Sequence, residues 1–242
     1  MQVTTLSFFR FEGIVNKIWA LVHMGLARGP FRRLQGIRFL KLLGVGRLGG
    51  FHPAPNFGVY SVLATWDSMD EARRHVFESR IYRRYQDRAV ESWVVFLSAA
   101  RAHGAWDRRA PFAVESSLDA EAPVGVLTRA TISWRRLLTF WRSVPRVAAH
   151  GDRAPSLRFS IGMGELPFVQ LMTFSLWDDL AAARAFAYRD GDHRDTMRRA
   201  RAEGWFAEEL FVRFRVLETT GTWFGVDPLA ERATPRPREL SV

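Results

Sequence analysis

The chain has 242 residues, a formal net charge of +10 and no cysteine. That length allows one large domain or two small ones sharing a core, and the missing thiols exclude disulfides, zinc–thiolate sites, iron–sulfur ligation and a cysteine nucleophile. The cations are almost all arginine, spread along helical segments with no run of five and no nucleic-acid motif. Nucleic acid is therefore not an expected partner, whereas peripheral contact with an anionic membrane is compatible with the charge.

Residues 1–10 lack the charged segment and apolar core of a secretory signal, so a cytoplasmic location is expected. They read as a strand near 3–10, followed by a helix near 13–28. The stretch Ile14 to Leu26 is the most apolar helical segment, but Asn16, Lys17 and His23 interrupt it and it is too short to span a bilayer. Strands near 37–46 and 57–66, a helix near 68–89 and a strand near 92–98 complete the first half. Residues 107–123, with prolines, charges and serines, read as a linker. The second half has strands near 124–132, 157–164, 168–177 and 208–218, with helices near 133–150 and 178–203. Residues 225–242 read as a loose tail.

The halves repeat one another. Phe57 to Asp67 and Phe168 to Asp178 are both apolar, strand-like runs ending in Trp-Asp, with Trp66 and Trp177 an offset of 111 apart. Ile37-Arg38-Phe39 precedes Gly44 and Gly46 as Leu157-Arg158-Phe159 precedes Gly162 and Gly164. Trp93 matches Trp205 at an offset of 112, which implies one inserted residue. Each half follows the order strand, helix, strand, strand, helix, strand, the split βαββαβ of a ferredoxin-like unit. The expected fold class is α+β: two tandem ferredoxin-like units, 1–106 and 124–224, each covering the other's sheet. The paired glycines lack a following helix N-terminus and read as turns or bulges, not phosphate loops.

Differences between the copies point to chemistry. At the offset of 112, His193 stands where the first copy has Ile81, and Met197 where it has Tyr85. His193, Met197 and Ala200 share a helix face, opposite Arg194, Asp195, Arg198, Arg199 and Arg201. His193 is thus either a core histidine bonded to a backbone carbonyl or a cofactor ligand; His23, on a face with Trp19, is the second choice. No two-histidine, one-carboxylate set, HExxH, GxSxG or inward-facing carboxylate pair stands out. A single inward histidine without thiolates suits haem better than a bare metal. Of nine tryptophans, Trp134, Trp141 and Trp205 could line such a pocket, though most tryptophans are expected in the core.

Several segments resemble the spheroidene monooxygenases: Leu6-Ser7-Phe8-Phe9-Arg10-Phe11, Trp19-Ala20-Leu21 through Arg28, Leu63-Ala64-Thr65-Trp66, Gly162-Met163-Gly164-Glu165 and Thr173-Phe174-Ser175-Leu176-Trp177. The most specific block runs from Ala187-Tyr188 through His193 to Glu203-Gly204-Trp205-Phe206-Ala207-Glu208-Glu209-Leu210-Phe211. The resemblance covers residues 3 to about 217. It implies a haem protein of the dimeric α/β-barrel type, with the barrel formed inside one chain. It implies oxygenation of an acyclic carotenoid, an apolar small molecule, at C-2 through two hydroxylations to a ketone, using dioxygen and a reduced ferredoxin-type donor. By match to its Tyr…His…Glu-Gly-Trp block, the iron ligand would be His193; Met197, on the same helix face, and Trp205 and Trp141, from the candidate pocket, are the further expected haem-binding residues. A haem enzyme with another substrate, and a non-catalytic barrel carrying an apolar ligand, remain alternatives. The oligomeric state, including a homodimer, stays open.

Overall fold

A computed structural model describes residues 1–47, 52–148, 155–189, 198, 200 and 202–230. The first half contains β1 (Val3–Arg10), α1 (Ile14–Leu26), α2 (Arg28–Arg32), β2 (Ile37–Arg47), β3 (His52–Trp66), α3 (Met69–Glu78), α4 (Arg80–Gln86) and β4 (Glu91–Gly104). The second contains β5 (Val124–Ile132), a 3₁₀ turn at Trp134–Arg136, α5 (Leu137–Ala148), β6 (Leu157–Gly164), β7 (Gln170–Trp177), α6 (Leu180–Arg189) and β8 (Phe206–Gly221). The fold is α+β. The eight strands close into an antiparallel barrel in the order β1-β3-β2-β6-β7-β5-β8-β4.

Closure explains why β1 is buried along both faces. Leu6 and Phe8 point into the barrel, while Val3 and Phe9 point outward under helices. The interior is filled by side chains from both halves. Phe8 stacks on Trp93 at 5.4 Å and meets Phe159 edge-on at 5.3 Å. An apolar ligand therefore finds the barrel lumen occupied by core side chains.

Strand registers align the halves residue by residue. Val3 faces Trp66 as Val124 faces Trp177. Both β2 and β6 skip a residue at their start, with Ile37 opposite Trp66 and Leu157 opposite Trp177. The skipped residues, Arg38 and Arg158, donate from Nε to Asp67 and Asp178 at 2.6 and 2.5 Å. Where the halves meet, each half's edge strand pairs with its counterpart: Gly44 opposite Gly164, and Ser98 opposite Arg215. Those glycines sit at the seam and form no phosphate loop.

Register also corrects the sequence reading. Trp93 lies opposite Phe8, and the position equivalent to Phe8, Arg129, lies opposite Leu210. Leu210 is thus the counterpart of Trp93, and Trp205 lies ahead of β8. The offset rises from 111 at β3 and β7 to 117 at β4 and β8, so six residues, not one, are added between them. Pairing His193 with Ile81 and Met197 with Tyr85 requires five of the six to follow Met197. The expected helix over 68–89 divides at Ser79, which is extended. Its hydroxyl donates to the His75 carbonyl at 2.5 Å and accepts from Tyr82 N–H, ending one helix and capping the next.

The linker and the start of the tail are more ordered than a loose chain, because each carries a plug. After β4, Trp106 is fully buried and bridges Arg109; after β8, Trp223 bridges Val226. Phe112 and Leu229 follow and pack on the barrel core. Gly104 and Gly221 make these turns, with φ of 98° and 84°, and a Cβ on either would lie 2.1 Å from a carbonyl oxygen of Glu209 or Ser92.

Candidate functional site

The outer face of the first half is covered. Helices α1–α4 bury Phe9, Leu42, Tyr60, Val62, Trp66 and Phe96 against the sheet, with Leu40 partly buried beside them. The equivalent face of the second half has lost its bulk. Register places Ala130 at the position of Phe9, Ser160 and Gly162 at those of Leu40 and Leu42, and Leu171 and Thr173 at those of Tyr60 and Val62. Among the described residues, Val124, Trp177 and Ala183 form the buried cluster here, with Val126, Leu157 and Phe186 against it. At the centre, the Thr128 and Thr173 hydroxyls share a hydrogen bond of 2.5 Å. Arg213, at the position of Phe96, lies over the Phe211 ring at 5.3 Å. Nearby helical residues leave Trp134 and Leu138 exposed. Among the described residues, the face is weakly polar and short of large side chains around Ala130, Ser160 and Gly162. Among the described residues, that shape leaves room for a flat group held mostly by packing.

Of the residues expected to hold it, His193 and Met197 lie outside the described residues. Trp205 is buried just before β8; its indole donates to Glu203 at 2.9 Å, and its carbonyl accepts from Ser133 N–H at 2.7 Å. Trp141 lies on α5, donates to the Phe168 carbonyl at 3.0 Å and meets the Phe140 and Phe168 rings edge-on. Phe140 in turn meets Phe206, next to Trp205. The fold thus gathers Trp141 and Trp205 at the end of the face formed by Ile132 and Phe206. The second-choice histidine, His23, stacks on Trp19 at 4.1 Å with Nδ1 3.0 Å from the Trp19 carbonyl oxygen, in the first half. Among the described residues, no group of three histidine or acidic side chains could hold a bare metal.

Acidic residues do converge, contrary to the sequence reading, at one barrel mouth. Lys41 and Arg129 point inward from β2 and β5 and are almost wholly buried. Lys41 Nζ reaches Glu165 and Asp107 at 2.5 and 2.6 Å, and Trp106 donates its indole N–H to Glu165 at 2.7 Å. Arg129 pairs with Glu208, which also accepts backbone N–H groups of Asp107 and Arg108 at 3.1 and 2.7 Å. Two guanidinium donors of Arg129 have no partner among the described residues, but its cation sits over the Trp106 ring at 5.3 Å. Register gives Lys41 and Arg129 the counterparts Ile161 and Phe8 at the other mouth, so the ion cluster belongs to one end only. No local pattern marked it, since its members are strand-end residues brought together by closure.

Burial alone would raise the Glu208 carboxyl. The two backbone donors and Arg129 outweigh that and hold it below its ordinary 4.5. A depressed carboxylate stabilises the fold above its unfolded-state value, and the contribution is lost as pH falls through the folded-state value. Denaturant midpoints are therefore expected to drop as pH falls below 4.5, and Glu208→Gln to flatten that drop while lowering the neutral-pH midpoint. An equal slope in both proteins would remove this role from Glu208.

No protein-family model matches the chain. It is 40% identical to the spheroidene monooxygenase of Cereibacter sphaeroides, over 99% of this chain and 74% of that protein. It is 38% identical to that of Rhodobacter capsulatus, over 98% and 99% of the two chains, and 31% identical to that of Rubrivivax gelatinosus, over 86% and 80%. Among solved structures, an aldoxime dehydratase superposes with a TM-score of 0.63 over 90% of this chain and 82% of that chain, at 12% identity, a likeness of fold alone. On the identity and coverage of its relatives, the chain belongs to the spheroidene monooxygenase family, and its activity class is that of a monooxygenase.

Proposed function

We propose that the chain is a haem-dependent monooxygenase of two tandem ferredoxin-like units, with haem on the stripped outer face of the second unit and an acyclic carotenoid as substrate. The observation that carries the cofactor's position is the loss of bulk from Phe9, Leu42 and Tyr60 to Ala130, Gly162 and Leu171 between equivalent strands. His193, on the segment leading into Trp205, is the proposed iron ligand, and Met197, Trp205 and Trp141 complete the apolar surround. Haem, when bound, would supply activation of dioxygen with electrons from a reduced ferredoxin-type donor. The chain's own residues would exclude water through Leu171, Phe211 and the tryptophans. The Thr128–Thr173 pair would present a hydroxyl able to hold a proton near the reacting oxygen. Each of two hydroxylations at C-2 consumes one dioxygen, two electrons and two protons and releases one water. The resulting gem-diol then loses water to give the ketone.

The name shared by the relatives supports the carotenoid. The deciding assay supplies haem-loaded protein, a ferredoxin system and oxygen to spheroidene or lycopene in detergent. The carotenoid reading predicts a 2-oxo product. Absence of that product from the haem-loaded protein would contradict it.

A further inference from the structure

Helix α1 is built the wrong way round for a helix facing water. Its inner side is set by Trp19, Ala20 and Met24, which pack on the first half's outer core. Its outer side should then be polar. Instead the outward residues are Ile14, Val15, Ile18, Leu21, Val22, Gly25 and Leu26, without one charge or hydrogen-bonding side chain among them. Ile14 and Val15 are each 71% exposed and Leu26 67%. At 100° per residue, these positions fall on one continuous stripe along the whole helix, not scattered single exposures. By contrast, α3 places Asp70, Arg73, Arg74 and Glu78 toward solvent, the ordinary arrangement.

The stripe is bordered by cations. Lys17 flanks it, its chain lying over Gly58 beside the half-exposed Phe57. Arg28, Arg32 and Arg33 follow on and just after α2, all exposed. Between Glu12 and Asp67 the chain has no acidic residue; of its cations there, Lys41 is buried at the barrel mouth and Arg38 pairs with Asp67, leaving Lys17, Arg28, Arg32 and Arg33 near the stripe. An apolar helix face lying flat, rimmed by cations and free of carboxylates, matches the hydrocarbon boundary and anionic headgroups of a bilayer. A second copy of the chain would bring the same cations against each other, which disfavours self-association through this face. We infer that α1, with the arginines of α2, is a membrane-docking helix that seats the barrel on anionic phospholipid without crossing it. This agrees with there being no helix, among the described residues, long and apolar enough to span a membrane. The inference needs neither the cofactor nor the substrate proposed above, so it stands or falls separately.

The test is sedimentation of the full chain with vesicles of phosphatidylglycerol and phosphatidylcholine in equal parts, and with phosphatidylcholine alone. Binding to the anionic vesicles is expected to be about tenfold or more stronger, and to weaken with salt. The variant Ile18→Asp/Val22→Asp, at exposed positions outside the core, should lose about tenfold or more of that binding with an unchanged circular dichroism spectrum. Arg32→Gln/Arg33→Gln should bind more weakly and with a shallower salt dependence. Failure of the unaltered chain to sediment with anionic vesicles overturns the inference, as does undiminished binding by both variants. A dimer that becomes a monomer in Ile18→Asp/Val22→Asp, measured by light scattering, would assign the stripe to a second copy and also overturn it.

Discussion

Restoring the first half's bulk to the second, by Ala130→Phe with Gly162→Leu, is expected to abolish haem loading while leaving the protein folded. The residues are those that equivalent strands already carry, Phe9 and Leu42, so the β-sheet backbone accommodates them. Both would project from the outer face, away from the packed barrel interior, into the space assigned to the cofactor. Forcing side chains into an occupied volume costs about 1–3 kcal/mol each. Two such insertions, about 2–6 kcal/mol together, correspond to a loss of affinity of about thirtyfold to ten-thousandfold. The apoprotein has the opposite response, because added apolar contact over Thr128, Leu171 and Phe211 should hold or raise its thermal midpoint. A haemin titration followed by absorption, beside a melting curve of the apoprotein, separates the two effects. Full haem occupancy in a stably folded double variant would move the cofactor off this face.

The repeat itself was legible because Trp66-Asp67 and Trp177-Asp178 end matching strands and then serve the same structure, accepting from Arg38 and Arg158. The loss of bulk from Tyr60 to Leu171 was within reach at that offset. The change from Phe9 to Ala130 was not, because β1 and β5 stand 121 residues apart and no motif marks either. Loops of different length let each strand pair slide in sequence while its register in the sheet stays fixed, and only hydrogen bonding reveals the correspondence. The same effect misdirected the pairing of Trp93 with Trp205: two tryptophans near strand starts agreed in type but not in register. The charged mouth was illegible for another reason. Lys41 sits in the apolar run Leu40-Lys41-Leu42-Leu43, where an inward lysine looks like an error until Glu165 and Asp107 arrive from distant segments. Conversely, α1 was correctly read as the most apolar helix, but its outward orientation needed the position of Trp19 and Ala20 on the sheet.

One haem is proposed to bind this chain, with His193 as its ligand. The imidazole is the strong axial bond, and the remaining attraction comes from apolar packing on the stripped face. Deleting the imidazole removes the bond but leaves the face, so His193→Ala should bind haem weakly or with altered ligation while its secondary structure is unchanged. The most direct measurement is the absorption spectrum of the purified, haemin-reconstituted chain beside that of His193→Ala. The predicted result is a Soret band at one haem per chain in the unaltered protein, lost or shifted in the variant. Identical Soret bands in both proteins would pass the ligand role to His23, and no Soret band in the unaltered chain would contradict the haem assignment altogether.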